Sequence, residues 1–289
     1  MRTWVIFALF VFLITGFFYL AGIYSGSASN FFIIGLVFSI ASTAGSYFFS
    51  DKIVLLTVGA KPADKKQHFD FYTVAENLSM ASGLPMPKLY VIDDPSPNAF
   101  ATGRDPKHAV VCVTTGLLQR LDRAELEGVI AHELSHVKNY DILLASVVAV
   151  LVGTVALVAD LMMRNMWWSG IRNRDDSRDR GNNPLFYVFM IFIFIITPIA
   201  ATLIQLAISR KREFLADADG ALLTRYPEGL ARALEKISDY PRSMASATTS
   251  TAHLFISNPF KKGKGQNWLL SLFSTHPPTE ERIKILRSI

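Results

Sequence analysis

Four long runs of apolar residues constrain the fold of this chain more than any other feature. Val5 to Tyr24 and Phe31 to Phe49 contain no charged residue, and each approaches the about 20 residues with which a helix crosses about 30 Å of hydrocarbon. Ile142 to Met163 and Pro184 to Ile208 are nearly as clean, with Asp160 as their one charged residue. We expect four transmembrane helices, arranged as two hairpins.

The first run has a second interpretation, as the hydrophobic part of a cleaved signal peptide that Arg2 precedes. Its length exceeds the about 7 to 15 residues typical of such a segment, which favours a spanning helix. The composition agrees, because 51% hydrophobic residues is too apolar for an average soluble domain.

The distribution of Lys and Arg predicts the orientation of the spans. An even number of spans leaves two loops on the side opposite the termini, namely Ser25–Asn30, without Lys or Arg, and the polar loop 164–183, with five arginines. The other 24 of the 29 Lys and Arg residues lie on the side of the termini, which we therefore expect to be cytoplasmic.

The net charge of +5 raises the question of nucleic acid as a partner. The sequence contains no nucleic-acid-binding motif, and basic residues beside spanning helices are explained by the positive-inside rule and by contact with anionic lipid. We expect a lipid bilayer and no nucleic acid. The single cysteine, Cys112, lies in an apolar, strand-like run and is expected to be buried.

The segment between the two hairpins predicts a small α+β unit. Helical spacing of apolar residues runs from His68 to Gly83. We expect its buried face to comprise Phe71, Val74, Ala75, Leu78 and Ala81. Three β-favouring pieces follow, Lys88–Ile92, Asn98–Gly103 and His108–Thr114, separated by Pro and Gly turns. Asn98–Gly103 suits an edge strand.

A further helix is predicted to begin at Asp122, because Glu125 three residues later completes a capping signature. Its apolar face comprises Leu126, Val129, Ile130, Leu134 and Val137. No Pro or Gly separates Val129 from the third apolar run, so we expect this helix to continue into the membrane or to abut it. After the second hairpin, helical patterns begin at Ser209, Pro227 and Pro278, and residues 241–267 are expected to be mobile.

The chemistry-bearing motif on the Asp122 helix is His132-Glu133-Leu134-Ser135-His136. Residues four apart lie on one helical face, so His132 and His136 can bind one metal ion with Glu133 beside it. A catalytic zinc ion takes three protein ligands and a water molecule. Glu213, on the helix that leaves the fourth span, is the expected third ligand, and Asp217 and Asp219 are its rivals. Asp217 is better placed to hold a ligand histidine.

The sequence resembles the HtpX family of membrane-bound bacterial zinc proteases, which is related to the CAAX prenyl proteases. The resemblance runs nearly end to end, and its motifs are Asn98–Gly103, Ala131–His136, Arg212–Asp217 and Thr275–Ile283 together with the four apolar runs. The polar stretch Arg172–Arg180 belongs to none of them.

The resemblance implies an α+β membrane protein. Four transmembrane helices in two hairpins would carry a mainly helical, cytoplasmic, gluzincin-type zinc protease domain with a small β-sheet. The expected parts are residues 1–50 (first hairpin), 51–141 (first part of the catalytic domain), 142–208 (second hairpin) and 209–289 (second part).

The resemblance also implies residue roles, with one Zn²⁺ per chain bound by His132, His136 and Glu213. Asn98 would lie at the substrate cleft, and His276 and Arg282 would approach the site as substrate or oxyanion contacts. Each of these three has a plainer structural explanation. We expect His68, His108 and His253 to be structural or exposed, because they have no acidic or cysteine partner at ligand spacing.

The implied function is a zinc-dependent endopeptidase of the bacterial inner membrane that cleaves damaged or unfolded membrane proteins on the cytoplasmic side, as protein quality control. Glu133 would act as the general base. Two alternatives stay open: a CAAX-type prenyl-protein endoprotease, and a non-enzymatic membrane scaffold or transporter.

Overall fold

The computed structural model of the chain consists of two compact units. One contains Met1–Phe48 and Val150–Leu203, and the other contains Phe49–Ala149 and Ile204–Ile289. The structure describes residues 2–24, 26–172, 199, 209–260 and 277–289.

Three of the described helices are long and apolar enough to cross a membrane. Helix α1 comprises Arg2–Tyr24, α2 comprises Ala28–Thr57 and α6 comprises Asp141–Arg172, of which Asp141–Asp160 forms the apolar part. These helices contain the first three predicted spans. The fourth predicted span, Pro184–Ile208, lies outside the described residues apart from residue 199, as does loop 164–183 beyond residue 172.

Helices α1 and α2 pair through a polar contact and ring contacts. The hydroxyls of Thr15 and Ser39 lie 3.2 Å apart and are buried. The rings of Phe18 and Phe38 lie 6.0 Å apart between their centroids. A buried hydroxyl pair satisfies groups that would otherwise be costly in an apolar helix pair.

A four-stranded sheet forms one face of the second unit. Its strand order is β1-β2-β4-β3, with β2 and β4 parallel and both edge pairs antiparallel. The strands are β1 (Lys61–Pro62), β2 (Lys88–Ile92), β3 (Ala99–Thr102) and β4 (Val110–Thr114). The three predicted strands are present and β3 lies at an edge, as expected. The short β1 carries no alternating pattern and is not predicted. Cys112 is buried in β4.

Helix α3, Phe69–Ser82, packs the predicted face into the core and ends at Gly83. Gly83 has a φ of 70°, a left-handed conformation that glycine adopts at no steric cost. Ala81, which was expected on the buried face, is exposed because it lies in the last turn.

Helix α5, Arg123–Lys138, begins at the predicted capping box, in which Asp122 and Glu125 each accept the other's backbone N–H. All five residues of its predicted apolar face are buried. The helix stops short of the third apolar run, because Tyr140 has a φ of 58° and α6 begins at Asp141. It therefore abuts the apolar helix and does not continue into it. The short α4, Thr115–Arg120, precedes α5.

Two of the three C-terminal helices pack against α5, and the third packs against those two. The three helices are α7 (Arg210–Thr224), α8 (Pro227–Ser238) and α9 (Thr279–Leu286). Apolar side chains of α3, α5 and α8 share one core with the sheet.

The expected mobility of residues 241–267 is wrong for Met244–Pro259, which we call the strap. The N–H of Met244 donates to the carbonyl of Pro259 over 2.9 Å and closes the segment into a loop. The buried carboxylate of Asp94 accepts from the N–H groups of Ala245 and Ser246. A buried carboxylate needs such donors, so the strap is held although its composition resembles a linker. Residues 261–267 lie outside the described residues.

Candidate metal centre

The two histidines of the motif converge on one point. Four residues apart on α5, His132 and His136 bring their Nε2 atoms within 3.2 Å of each other. His132 is buried, and His136 is half-buried at the edge of a cavity.

Glu213, in the first turn of α7, completes a set of three donors. Its carboxylate oxygens lie 3.5 Å from Nε2 of His136 and 3.9 Å from Nε2 of His132. Donors bound at 2.0–2.1 Å around a tetrahedral ion lie roughly 3.3 Å apart, so the three atoms fit one divalent metal ion. Glu213 thus lies where antiparallel packing of the helices that enter the third span and leave the fourth was expected to place it.

Gly220 lets α7 lie directly against α5. A Cβ atom at Gly220 would lie 3.1 Å from the backbone nitrogen of His132, tighter than most real contacts. The absence of a side chain here permits the close approach that brings Glu213 and Asp217 to the two histidines.

Each histidine is oriented by an aspartate that is itself held by an arginine. Nδ1 of His132 lies 2.9 Å from Asp217, and Arg282 donates Nε and Nη2 to the two oxygens of that carboxylate over 2.8 and 2.6 Å. Burial alone would raise the pKa of Asp217, but the Arg282 charge lowers it to about 2. Asp217 is therefore ionised and keeps the proton of His132 on Nδ1, which frees Nε2 for a metal.

The second histidine has a parallel arrangement. Nδ1 of His136 lies 3.2 Å from Asp141, and Arg212 forms a salt bridge with the other oxygen of that carboxylate. The sequence pattern does not single out Asp141 or Arg212 as site residues. Arg212 stands beside Glu213 in a motif that supports the family resemblance, which was the one available signal.

The two imidazoles differ in basicity. Burial lowers the pKa of His132 to about 4, so this ring is neutral at pH 7. Burial also opposes protonation of His136, but the hydrogen bond with Asp141 and the charges of Glu213 and Glu133 raise its pKa to about 9. A metal ion that binds here must displace one proton from His136.

Glu133 is buried beside the three donors. Burial and the charge of Glu213 raise its pKa to about 7, against the opposing effects of His136, Arg282 and the backbone N–H of Ala101. A carboxylate with a pKa near 7 can both take up and release a proton near neutral pH.

The metal centre lines a cavity with a polar and an apolar wall. The polar wall includes Ser209 and Arg212, and the apolar wall consists of Ala101, Ile142, Ala145, Leu254 and Ile256. His253 also lines this cavity; it is buried and bonds to the carbonyl of Ala145, which agrees with the expected structural role. His108 is exposed but has an acidic partner, Asp105, at 2.8 Å. His68 is half-buried on the turn before α3.

The remaining predicted site residues are placed differently. The carboxamide of Asn98 is bound to the backbone of Ser257 and does not line the cavity. Arg282 is buried behind the ligands, where it holds Asp217 and does not face the cavity. Asp219 accepts from Ser135 and is not among the donors. His276 lies outside the described residues.

Comparison with known proteins gives this geometry a family. Residues 66–289 match the model of peptidase family M48. The Protease HtpX homolog of Caldanaerobacter subterraneus subsp. tengcongensis is 51% identical over 246 residues, which cover 84% of this chain and 80% of that protein. The Protease HtpX homolog of Tropheryma whipplei (strain Twist) is 47% identical over 283 residues, which cover 97% of this chain and 93% of that protein.

A solved structure shares the fold. The crystal structure of S. mikatae Ste24p matches with a TM-score of 0.51 at 19% sequence identity. The match covers 94% of this chain and 62% of Ste24p, so this chain spans less than two thirds of that protein's length. By these matches and the apolar helices, the chain belongs to peptidase family M48 and is a membrane-bound metalloprotease.

Proposed function

We propose that this protein is a zinc-dependent endopeptidase that cleaves damaged or unfolded membrane proteins on the cytoplasmic side of a bacterial inner membrane. The observation that carries the proposal is the convergence of His132, His136 and Glu213 with Glu133 beside them. The full set of donors and the family also argue against a non-enzymatic scaffold or transporter.

The donor chemistry favours Zn²⁺, one ion per chain. Two imidazole nitrogens and one carboxylate oxygen form a set found in zinc peptidases, with a fourth position left for water or substrate. When bound, such an ion polarises the carbonyl of the substrate and makes a water molecule more acidic.

Glu133 is the proposed proton carrier. Its carboxylate takes a proton from the attacking water and passes it to the amine that leaves. Arg282 acts through Asp217, which it holds against His132, and His276 remains the proposed contact of the developing oxyanion.

The edge strand β3 is the proposed place for the substrate backbone. A peptide that lies extended beside an edge strand gains main-chain hydrogen bonds that depend little on its sequence. This mode of binding suits a quality-control enzyme with many substrates. Unfolded membrane proteins have extended segments that could bind in this way, and the apolar helices keep the enzyme beside them.

Replacing Glu133 by Gln tests the central role. The variant is expected to bind one zinc ion per chain, because no donor is lost, but to cleave unfolded casein at least about 1,000-fold more slowly. Metal analysis and a gel-based cleavage assay of the purified full chain measure the two properties.

Glu127→Gln is the matched control, since Glu127 lies on α5 outside the site, where it pairs with Arg123. This control is expected to cleave like the wild type. A Glu133→Gln variant that cleaves at the wild-type rate would remove Glu133 from the mechanism.

A prenyl-protein endoprotease is the second candidate, favoured by the fold shared with Ste24p. An assay in which the purified enzyme receives equal amounts of a prenylated peptide and of an unmodified unfolded protein decides between the two candidates. Preferential cleavage of the prenylated peptide would support the second candidate.

A further inference from the structure

The strap contributes one wall of the cavity at the metal centre. Its residues Leu254 and Ile256 are buried and lie on the apolar wall. Nε2 of His253, also on the strap, bonds to the carbonyl of Ala145 at the start of α6 over 3.1 Å. The strap therefore connects the sheet side of the cavity to the helix side.

The strap also occupies the outward edge of β3 at Ala99. The backbone of Asn98 pairs with Thr114 of β4, so by the alternation of an antiparallel ladder Ala99 and Ala101 direct their backbone groups away from β4. The carbonyl of Ala99 accepts the N–H of Ile256 over 2.9 Å. Ala101 lines the cavity.

Side-chain groups hold the strap backbone on both sides of this bond. The carboxamide of Asn98 donates to the carbonyl of Ser257 over 3.0 Å and accepts its N–H. Arg282 donates Nη1 to the carbonyl of Ile256 over 3.0 Å. Asn98 and Arg282 were expected from the sequence to contact the substrate. In the structure they bind the backbone of the strap instead.

Burial shows that the strap is part of the folded core and not a loosely bound segment. Phe255 is fully buried, and its ring meets that of Phe100 edge-on with centroids 5.1 Å apart. Ile256 belongs to the main hydrophobic cluster. Lifting the strap would expose both apolar side chains to water and break the hydrogen bonds of Asn98 and Arg282.

We propose that the strap is a fixed wall of the substrate cleft that ends strand pairing at Ala99 and selects, through Leu254 and Ile256, an apolar side chain next to the cleaved bond. This inference rests on the proposed endopeptidase function. The side chain beside the cleaved bond lies against Leu254 and Ile256 of the strap and against the neighbouring Ile142 and Ala145. Hydrogen bonds to the substrate backbone allow many sequences to bind, whereas this wall gives a preference at one position of the substrate.

Cleavage-site profiling tests the selection. The full-length enzyme with zinc, in detergent, digests an unfolded protein mixture, and mass spectrometry identifies the cleaved bonds. We expect the wild type to favour apolar residues at one position beside the bond by about tenfold over polar ones. Leu254→Gln is expected to reduce this preference by about tenfold, and Ile256→Val to shift it toward larger apolar residues.

Leu78→Ala is the matched control, because Leu78 is as buried as Leu254 but lies on α3 away from the cavity. It is expected to lower stability and leave the cleavage profile unchanged. A flat wild-type profile, or a Leu254→Gln profile equal to that of the wild type, overturns the selection while the endopeptidase function stands. A wild-type enzyme that cleaves nothing overturns the proposed function and this inference with it.

Hydrogen exchange tests the fixed position of the strap without any variant. The amide of Ile256 is expected to exchange at the same rate, or more slowly, when a metal-binding hydroxamate peptide occupies the full-length enzyme. Faster exchange of Ile256 on inhibitor binding would show that substrate displaces the strap, and it would overturn the fixed wall.

Discussion

The two ligand histidines are oriented from behind by ionised groups of opposite sign. His132 is held by Asp217 and Arg282, and His136 by Asp141 and Arg212. Such partners fix the tautomer of each imidazole and make it a better metal ligand. The metal centre therefore depends on residues that would never touch the ion.

Asp217→Asn tests this dependence. The amide keeps the size of the side chain but loses the charge that orients His132, so zinc affinity is expected to fall about 10- to 100-fold. Competition with a chelating dye measures it. Asp219→Asn is the matched control, since Asp219 lies on the same helix but binds Ser135, and its affinity should stay within about twofold of the wild type. Equal losses in both variants would contradict a specific role of Asp217.

Zinc binding is also expected to tighten as the pH rises. The pKa of metal-free His136 is about 9, so below that pH the ring carries a proton that the ion must displace. Affinity should fall about tenfold for each pH unit below 9 and level off above it. Chelator competition across this range measures the slope. Asp141→Asn removes the main group that raises this pKa, so its plateau should begin at lower pH, and a pH-independent wild type would refute the assignment.

The sequence predicts which residues approach the metal better than it predicts what holds them. His132, Glu133 and His136 follow from helical spacing, and Glu213 follows from the requirement for a third donor. The role of Asp141 is not predicted, because the residue precedes an apolar run and the sequence pattern gives no sign of its contact with His136. The role of Arg282 differs from the expected one because burial, which no local pattern reveals, turns it from the cavity toward Asp217.

At the scale of elements, the site depends on how closely α7 lies against α5. Gly220 permits this approach beside His132. Helix spacing within each element is visible in the sequence, whereas the distance between two helices depends on side chains that are far apart along the chain.

Gly220→Ala separates packing from helix propensity. By propensity alone, alanine would stabilise α7 by about 1 kcal/mol. Its Cβ would press on the His132 backbone, so we expect a lower melting temperature and weaker zinc binding, measured by thermal unfolding and chelator competition. Gly45→Ala is the control, since no neighbouring atom lies within 4 Å of its new Cβ and zinc affinity should not change. A more stable Gly220→Ala variant with full affinity would show that the close approach is unimportant.

The strap shows the limit of reading elements from composition. Its Ser, Thr and Ala content predicts a mobile linker, yet Asp94, some 150 residues earlier, fixes it through the N–H groups of Ala245 and Ser246. A contact between residues so far apart in the chain produces no periodic pattern in the sequence. Strands β2 to β4, by contrast, were predictable because each is a short apolar run between turn residues.

At the scale of the whole molecule, the number and direction of the spans decide on which side of the membrane each terminus lies. Three described helices are long and apolar enough to span a membrane. The apolar run Pro184–Ile208 predicts a fourth span, and the distribution of Lys and Arg predicts that both termini are cytoplasmic. An odd number of spans would place the two termini on opposite sides of the membrane.

Cysteine labelling resolves the topology, because the single native thiol, Cys112, is fully buried and should stay silent. In intact cells a membrane-impermeant maleimide is expected to label Ser177→Cys in the polar loop and to leave Ser288→Cys unlabelled. Both should react after permeabilisation. Labelling of Ser288→Cys in intact cells would refute cytoplasmic termini.

Only two residues connect α5 to α6, and this short connection is expected to limit which substrates the enzyme can reach. Asp141, the first residue of an apolar helix long enough to cross a membrane, touches the metal ligand His136, so the metal centre is joined directly to the first turn of that helix. We therefore expect its natural targets to be chains that loosen within a few ångströms of the lipid headgroups.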